Sequence, residues 1–531
     1  MSVTEVDAIG VGEANHDHNG APRVAIIGAG VGGIAMAVWL KRRGLDNFTV
    51  FEQSSGPGGT WWDNRYPGAE VDIPSALYTY SFMSHDWART HATAPEIQLY
   101  IEAVIDTFAI RPHLRFQTAV REIVWDQAAH RYTLRTADGN AHEFEFVVSA
   151  LGTLNHPRVP DWPGLADFAG ASFHTARWNH DVDLAGKRVA VVGTGSTAAQ
   201  VVPAIAPIAA HVTLFQREAG WVLPKGEHDY NARERERLSR SALLRRYRRL
   251  RTLWTIERMG SSRDLGSKRN TRAHDAALAH ITASIDDPAV RDAVTPTSPF
   301  YCKRPVLAST FYAALTRENV TVVPRAVERI SATGVIDAAG IEREVDVLVI
   351  ATGFQPTNYL ATLDVVGVGG RSIHEVWGTE PRAFMGLAVP GFPNFFMMYG
   401  PNTNAGSIMF SLERQAEWIG RLVRRAAGRP GSAFEVRSSF FRRFNGWVDK
   451  GNEGKAWSSG CNNYYRSPGG RVVTQWPYSH TLYAILTRLL DSRVACTSRR
   501  STPGSSRHAR NAGTFTEPAE SPERVDTGRL R

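Results

Sequence analysis

The sequence RVAIIGAGVGGIAMAVWL, residues 23–40, decides the fold. A short apolar run leads into a cluster of glycines, and an apolar helical stretch follows, which is the order strand, turn, helix. Gly28, Gly30 and Gly33 stand in the spacing G-x-G-x-x-G of a dinucleotide-binding turn. The first glycine permits a tight turn, the second lets the backbone approach a pyrophosphate, and the third allows close packing of helix on strand. The stretch therefore predicts a Rossmann-like domain with phosphates at the N-terminus of its helix.

An acidic residue ends the next predicted strand, Phe48 to Glu52. A carboxylate at this place can accept hydrogen bonds from the hydroxyls of an adenosine ribose. The alternative is a plain glycine turn beside a surface glutamate, and the full context of strand, turn, helix and acidic strand end favours the binding site. We therefore expect the first turn to bind a dinucleotide with an unphosphorylated ribose, such as FAD.

A second glycine turn, GTGSTA at residues 193–198, also follows a predicted strand. The strand after it, TLFQR, aligns with TVFEQ of the first unit, so Gln216 replaces Glu52 and Arg217 comes next. Loss of the carboxylate removes the repulsion of a 2′-phosphate, and an arginine can pair with that phosphate. The second turn is therefore predicted to bind NADPH, with a plain surface role for Arg217 as the alternative.

Two such turns predict an α/β fold with two Rossmann-like dinucleotide-binding domains, the NADP domain inserted in the FAD domain and carrying a helical insertion. The buried strand 346–350 and the glycine turn after it predict a return to the first domain. The expected divisions are a disordered N-terminus at 1–21, an FAD-binding domain at 22–154 and 346–496, an NADP-binding domain at 155–345 with the helical insertion 226–300, and a disordered tail at 497–531.

Composition and cysteine content narrow the class of protein. The 531 residues are 43% hydrophobic and 21% charged, as in a globular protein of two packed domains. Apolar runs are too short to span a bilayer and no secretory leader is evident, so we expect a cytoplasmic protein. Cys302, Cys461 and Cys496 form no C-x-x-C pair, which excludes a dithiol reductase motif and a zinc knuckle. Reduced thiols and no metal site are the expectation.

The formal net charge of +9 permits contact with anionic partners. Arginines cluster at residues 233–251 and in the tail, and they indicate a solvated helix face and a disordered tail rather than a nucleic-acid site. Leu243, Leu244, Tyr247 and Leu250 recur near helical spacing and are expected to face the core of the second domain. The alternative is a helix whose apolar side faces a lipid surface.

Two longer motifs carry a family resemblance. Residues 168–179, FAGASFHTARWN, resemble the fingerprint F-x-G-x-x-x-H-x-x-x-W of type I Baeyer–Villiger monooxygenases, with Asn179 in place of the usual proline or aspartate. Residues 58–72, GGTWWDNRYPGAEVD, match that family's fingerprint [AG]-G-x-W-x-x-x-x-[FY]-P-[GM]-x-x-x-D in full. Residues 351–354, ATGF, resemble its later motif. The resemblance covers about residues 22–490.

The resemblance implies a flavin enzyme that uses NADPH and dioxygen. It implies oxidation of a ketone to an ester or lactone through a flavin C4a-peroxide. The short apolar runs separately predict no membrane insertion. The alternative is a flavin monooxygenase that oxygenates nitrogen or sulfur. Trp178, the complete second fingerprint and the pair Lys303-Arg304 favour the Baeyer–Villiger reaction.

Residue roles follow from the same resemblance. Cys302-Lys303-Arg304-Pro305 resembles the family's Lys-Arg-Pro segment, in which Arg304 stabilises the anionic peroxide and Lys303 contacts the 2′-phosphate. Asp72, the last fingerprint residue, is expected to hold Arg304 through a charge-assisted hydrogen bond. His174 is assigned to domain coupling rather than to acid–base chemistry.

Other residues are expected to line the two cofactors. For the flavin they are Thr60, Trp61 and Tyr78. For NADPH they are Gly193, Thr194, Gly195, Ser196, Thr197 and Gln200. The aromatic stretch from Trp457 to Trp476, with Asn462, Asn463, Tyr464 and Tyr465, is compatible with a substrate pocket and equally with core packing.

Overall fold

A computed structural model describes residues 21–427, 429, 431–490 and 495–499. The strands are β1 Val24–Ile27, β2 Phe48–Phe51, β3 Leu114–Arg115, β4 Val120–Asp126, β5 Arg131–Thr136, β6 Ala141–Phe144, β7 Phe146–Ser149, β8 Ala171–His174, β9 Arg188–Val192, β10 His211–Phe215, β11 Val222–Leu223, β12 Val306–Leu307, β13 Val320–Val323, β14 Val327–Ile330, β15 Gly334–Asp337, β16 Glu342–Glu344, β17 Val347–Ile350, β18 Asp364–Val366, β19 Phe395–Met397, β20 Ser432–Val436 and β21 Ala495–Arg499. The α-helices are α1 Val31–Lys41, α2 Thr60–Asp63, α3 Ala94–Thr107, α4 Ser196–Ile205, α5 Ala232–Arg240, α6 Ala242–Gly260, α7 Lys268–Ser284, α8 Pro288–Val294, α9 Phe311–Leu315, α10 Ile373–Trp377, α11 Ile408–Ala427, α12 Ser438–Asn452 and α13 His480–Leu489.

The first sheet has the strand order β19-β7-β1-β2-β3, with every pair parallel. All four residues of β1 are buried, which is why this strand is a continuous apolar run and not an alternating one. Helix α1 connects β1 to β2 and packs against α11, so both its faces are covered. The arrangement is that of a dinucleotide-binding unit with its glycine turn between β1 and α1.

The second sheet has the order β13-β10-β9-β17-β8 and is also parallel throughout. All its strands lie between β7 and β19 along the chain, so the second unit is inserted in the first, as predicted. The return point is different from the predicted one. Strand β17 pairs with β8 and β9 in the second sheet, whereas residue 346 was expected to begin the return, and β19 is the strand that rejoins the first sheet.

The helical insertion is present as α5 to α8, within the predicted range 226–300. The expectation that its apolar residues face the second core is wrong for Leu243, Tyr247 and Leu250, which are exposed, while Leu244 is partly buried. Helical spacing identifies residues that share a face, but it does not show which face the rest of the protein covers.

The end of the chain also differs from expectation. Residues 497–499, assigned to a disordered tail, belong to β21, which pairs antiparallel with β20. The polar sequence of β21 gave no apolar alternation, and its backbone pairing is what places it. Residues 1–20 and 500–531, predicted to be disordered, lie outside the described residues. Within the residues that the structure describes, no helix is both long enough and apolar enough to cross a membrane.

Candidate active site

A cavity of about 890 Å³ lies at the carboxyl ends of both parallel sheets. Ligands of open α/β sheets bind at such strand ends, and this cavity is bordered by the turns after β1 and β9. Of the residues assigned to catalysis or cofactor binding from the sequence, all but Gly33 line it: Gly28, Gly30, Glu52, Thr60, Trp61, Asp72, Tyr78, Gly193, Thr194, Gly195, Ser196, Thr197, Gln200, Arg217, Lys303 and Arg304.

Gly33 is needed for packing behind the first turn. A Cβ atom at this position would stand 1.8 Å from the carbonyl oxygen of Gly28, so no larger residue fits between α1 and the turn. Gly28 itself has a φ of 107°, and its Cβ would meet the oxygen of Ala150 at 2.7 Å. The two glycines therefore let the first turn close tightly between β1, β7 and α1.

Glu52 is buried at the end of β2 and its carboxylate points back to the first turn. One oxygen accepts a hydrogen bond from the backbone N–H of Ala29 at 2.7 Å, and the other accepts from the N–H of Ser54 at 2.8 Å. These bonds fix the carboxylate at the cavity wall, where its remaining lone pairs can accept from hydroxyl groups.

Trp61 and Tyr78 form a joined pair on the wall beside the first turn. The indole N–H of Trp61 donates to the phenol oxygen of Tyr78 at 2.8 Å, and the rings meet edge to face with centroids 5.7 Å apart. Burial raises the pKa of Tyr78, so its hydroxyl stays protonated. The pair supplies a rigid, uncharged surface of the kind that flat ring systems stack against.

The second turn is closed at its first glycine and open at its second. Gly193 has a φ of 139°, and a Cβ there would meet the oxygen of Ala351 at 2.2 Å. At Gly195, by contrast, nothing lies within 4 Å of a Cβ position. Space is therefore left in front of the N-terminus of α4, where unpaired backbone N–H groups favour an anion.

Gln200 lines the cavity, and its side chain also makes two hydrogen bonds to the first unit. The hydroxyl of Tyr66 donates to its amide oxygen at 3.0 Å, and its amide nitrogen donates to the carbonyl of Glu70 at 3.0 Å. Both partners belong to the fingerprint of the first unit, and Gln200 lies on α4 of the second. The side chain therefore joins the two units at the cavity, which the spacing of the turn did not reveal.

Arg217 and Lys303 place two cations near the end of β10. Arg217 is exposed to the cavity and makes no hydrogen bond or ion pair within the described parts of the chain. Lys303 pairs with Glu218 at 2.5 Å, and this contact lowers the pKa of the Glu218 carboxyl. The two cations stand where a phosphate on an adenosine ribose would lie if the second turn holds its pyrophosphate.

Arg304 lies between the two turns and is bound from several sides. Its guanidinium donates to the carboxylate of Asp72 and, at 3.0 Å, to the hydroxyl of Ser196. Its backbone N–H donates to the phenol oxygen of Tyr465 at 2.8 Å. The charge of Asp72 raises the pKa of Arg304 further, so the guanidinium remains a fixed cation. The other oxygen of Asp72 is buried and has no hydrogen-bond partner among the described residues.

The late aromatic segment takes part in this site. Asn462, Asn463 and Tyr464 line the cavity, and Tyr465 is buried behind Arg304. Tyr465 was left open between pocket and core by the sequence, and the structure shows that it is a buried support of the Arg304 backbone. In the sequence, the only sign of this role for Tyr465 is its position after a run of polar and aromatic residues.

A disulfide connects this segment to the loop of Arg304. Cys302 and Cys461, 159 residues apart, are bonded with Cα atoms 6.3 Å apart. The expectation of reduced thiols is therefore wrong for this pair. It rested on the absence of a C-x-x-C motif, and spacing along the chain does not reveal cysteines that only the fold brings together.

His174 lies next to Gly353, which lines the cavity, and it is held by backbone groups. Its Nδ1 accepts from the N–H of Ala176 at 3.1 Å, so the proton is on Nε2, which lies 3.1 Å from the oxygen of Gly353. Burial lowers its pKa. Asn179 accepts from the N–H of Asp181 at 3.0 Å and so caps a turn, as an aspartate would. The backbone contacts of His174 lie within the second unit, and its role in domain coupling stays a prediction.

Comparison with known proteins finds relatives that are similar over most of the chain. A family described as pyridine nucleotide-disulphide oxidoreductase matches residues 25–242. A Baeyer–Villiger monooxygenase of Streptomyces coelicolor is 38% identical, over 90% of this chain and 92% of its own length. A Baeyer–Villiger monooxygenase of Pseudomonas aeruginosa is 34% identical, over 88% of this chain and 90% of its own.

The chain belongs to the Baeyer–Villiger monooxygenase family. A solved steroid monooxygenase bound to NADP superposes with a TM-score of 0.79 and 30% identity, covering 90% of this chain and 100% of that one. This membership confirms the predicted fold class and the prediction of an FAD- and NADPH-dependent oxidoreductase.

The residues that line the cavity of this family member suit two dinucleotides. Helices α1 and α4 both begin at the cavity with a glycine N-cap, no side-chain cap and no acidic residue in the first turn. Their free N–H groups are therefore left for phosphates. Glu52 would hold the ribose of FAD at the first turn, and the open space at Gly195 would take the pyrophosphate of NADPH at the second.

Proposed function

We propose that the enzyme oxidises a ketone to an ester or lactone with NADPH and dioxygen. The balanced reaction consumes one ketone, one dioxygen, one NADPH and one proton, and it yields one ester, one NADP⁺ and one water. When bound, FAD that NADPH has reduced activates dioxygen and supplies the oxygen atom that enters the substrate.

The placement of Arg304 carries this proposal. A fixed cation at the junction of the two turns stabilises negative charge that develops on the reacting oxygen, and it needs no reorganisation to do so. Arginine suits this role because its guanidinium does not lose its proton. Asp72 and Ser196 both accept from the same terminal nitrogen of the guanidinium, while Tyr465 accepts from the backbone N–H of the same residue.

The remaining roles divide between the two turns. Thr60, Trp61 and Tyr78 with the first turn would hold the flavin, and the second turn with Arg217 and Lys303 would hold NADPH. Lys303 would exchange Glu218 for the 2′-phosphate, because a doubly charged phosphate attracts the ammonium group more strongly than one carboxylate. Tyr464, Asn462 and Asn463 border the same cavity and would contact the substrate.

Product analysis tests the proposal directly. The purified enzyme is supplied with FAD, NADPH and ¹⁸O-labelled dioxygen, and offered cyclic, linear and aryl ketones beside a thioether and a tertiary amine. We expect esters or lactones that carry one labelled oxygen, detected by mass spectrometry. Formation of sulfoxide or N-oxide with no ester from any ketone would instead identify a heteroatom oxygenase.

A further inference from the structure

The outward face of α6 carries a continuous apolar stripe. Leu243, Tyr247, Leu250 and Trp254 are exposed by 77%, 59%, 65% and 58%. Successive residues of an α-helix are turned by about 100°, so these four side chains lie within a stripe roughly 60° wide along the helix. Large apolar residues are common singly on protein surfaces, but four aligned over three turns indicate a contact surface.

Positive charge borders this stripe on both sides. Arg246 lies on one flank and Arg251 and Arg258 on the other, and all three are exposed. The guanidinium of Arg258 stands over the ring of Trp254 at 4.5 Å from its centroid. The only acidic residue of α6, Glu257, lies one helical repeat beyond Leu250 at the edge of the stripe, on the same flank as Arg246, and its carboxylate accepts from the backbone N–H of Thr481 at 2.8 Å. Three arginines and one glutamate therefore border the stripe, and the glutamate carboxylate is already bonded to the first turn of α13.

The opposite face fixes α6 to the protein. Arg249 donates to the carbonyl of Thr79 at 2.5 Å and lies 3.8 Å from the buried carboxylate of Glu413. Ile256 packs beside Gly406, which lines the cavity. The exposed stripe thus belongs to an anchored helix that sits next to the active site, and not to a loosely attached segment.

We propose that α6 docks on the surface of an anionic lipid bilayer, lying parallel to the membrane. The apolar stripe would enter the headgroup region, and the flanking arginines would reach lipid phosphates while their methylene groups cover apolar surface. This is surface association and needs no spanning helix.

A second copy of the chain fits this face less well than an anionic bilayer does. In a two-fold contact the same patch meets itself, so three arginines of one α6 would face three of the other, and the one carboxylate at this border, Glu257, is already bonded to Thr481. A bilayer with anionic headgroups supplies both the apolar layer and the negative charge. The docking surface rests on α6 alone and does not depend on the reaction proposed above.

Vesicle sedimentation tests the docking surface. The flavin-loaded enzyme is mixed with vesicles of phosphatidylcholine alone or with an equal share of phosphatidylglycerol, and the pelleted fraction is measured. We expect binding to the anionic vesicles that is several-fold stronger than to neutral ones. The double variant L250E/W254E should lower this binding by about tenfold or more, because it places carboxylates in the stripe.

Matched variants distinguish vesicle binding through the apolar stripe from binding through positive charge alone. Leu99→Glu alters an equally exposed leucine, 67% accessible on α3, and should leave vesicle binding unchanged. R246Q/R251Q should weaken binding to anionic vesicles only. Flavin content and circular dichroism establish that each variant is folded.

Three results would overturn the proposal. The first is a wild-type enzyme that does not pellet with anionic vesicles. The second is a double variant L250E/W254E that binds them as wild type does, since the contact would then lie elsewhere, for example in the arginine-rich residues 497–531. The third is a dimer in light scattering that this variant dissociates without any vesicle binding, which would identify a second copy as the occupant.

Discussion

Arg304 is held by groups from three parts of the chain. Asp72 comes from the first unit, Ser196 from the second, and Tyr465 from the late segment. Each contact orients the same residue, so the guanidinium position depends on the assembled molecule rather than on its own loop. This explains how one side chain can serve a site that lies between two nucleotide turns.

Replacing Arg304 should separate reduction from oxygenation. In Arg304→Ala we expect NADPH still to bleach the flavin absorbance, because the second turn is unchanged, while ester formation falls by about 100-fold or more because the stabilising cation is lost. Arg304→Lys keeps the charge without the planar guanidinium, so its rate of ester formation should lie between those of the wild type and Arg304→Ala. Stopped-flow absorbance and gas chromatography measure the two steps. Undiminished ester formation by Arg304→Ala would remove its assignment.

Arg217 should set the preference between the two nicotinamide cofactors. For Arg217→Ala we expect the KM for NADPH to rise about tenfold to 100-fold, since a charge-assisted bond to the 2′-phosphate is lost. The KM for NADH should change little. Arg240→Ala, an exposed arginine on α5, serves as the control in steady-state assays. An equal rise for both cofactors in Arg217→Ala would rule out a specific contact with the 2′-phosphate.

The chemistry of single residues was predictable where a motif fixed it, and less so elsewhere. Glu52, Gln216 and Arg217 occupy strand ends whose place in the fold follows from the turn before them. Gln200 and Tyr465 are different, because their partners lie 134 and 161 residues away and no local pattern records those contacts.

Among the elements, the two glycine turns contain glycines that are needed for different physical reasons. Gly33 has a carbonyl oxygen where a Cβ would stand, while Gly195 has open space and a φ of −81° that any residue can adopt. Gly33 is therefore required for packing within the fold. Gly195 is required to keep space for a ligand in front of α4.

Alanine substitutions should separate these two requirements. Gly33→Ala should destabilise the protein by more than about 3 kcal/mol, because backbone atoms must move to admit the methyl group. Gly195→Ala should leave the melting temperature unchanged and raise the KM for NADPH several-fold, since its methyl group enters the ligand space. Thermal unfolding and steady-state kinetics measure the pair. A stable Gly33→Ala, or a Gly195→Ala with unaltered cofactor kinetics, would contradict this distinction.

The sequence predicted the presence of the helices and strands better than it predicted their positions in the fold. The two strand-turn-helix units and the helical insertion were predictable from periodicity and glycine spacing. Strand β17 was assigned to the wrong sheet, because four apolar residues suit the interior of either parallel sheet. Helix α6 was expected to bury its leucines, because apolar periodicity is the same for a covered face and for one that awaits a partner.

In the whole molecule, one buried ion pair connects the inserted unit to the first. Lys225 is fully buried and its ammonium lies 2.5 Å from a carboxylate oxygen of Glu70, and it also donates to the carbonyl of Val71 at 3.0 Å. Glu70 and Val71 belong to the fingerprint that ends at Asp72. The ion pair therefore connects the two units at a point close to Asp72 in the candidate active site.

Removing Lys225 from this ion pair should destabilise the protein. For Lys225→Met we expect a loss of about 3 to 5 kcal/mol in the free energy of unfolding, because the Glu70 carboxylate stays partly buried without its nearest cation. Arg89, 3.6 Å from Glu70, should keep the loss toward the lower value. Arg235→Ala breaks an exposed pair with Asp86 and should change stability little. Urea titrations that show the same midpoint for both variants would contradict this account.

The bond between Cys302 and Cys461 turns 160 residues of the chain into a closed covalent ring. Strands of both sheets lie inside this ring, and others lie outside it. A protease that cuts once between residues 303 and 460 would therefore leave a single species on a denaturing gel without reductant, and two fragments after the bond is reduced. Nicked enzyme would stay one molecule, with the loop of Arg304 still tied to the segment that supports it.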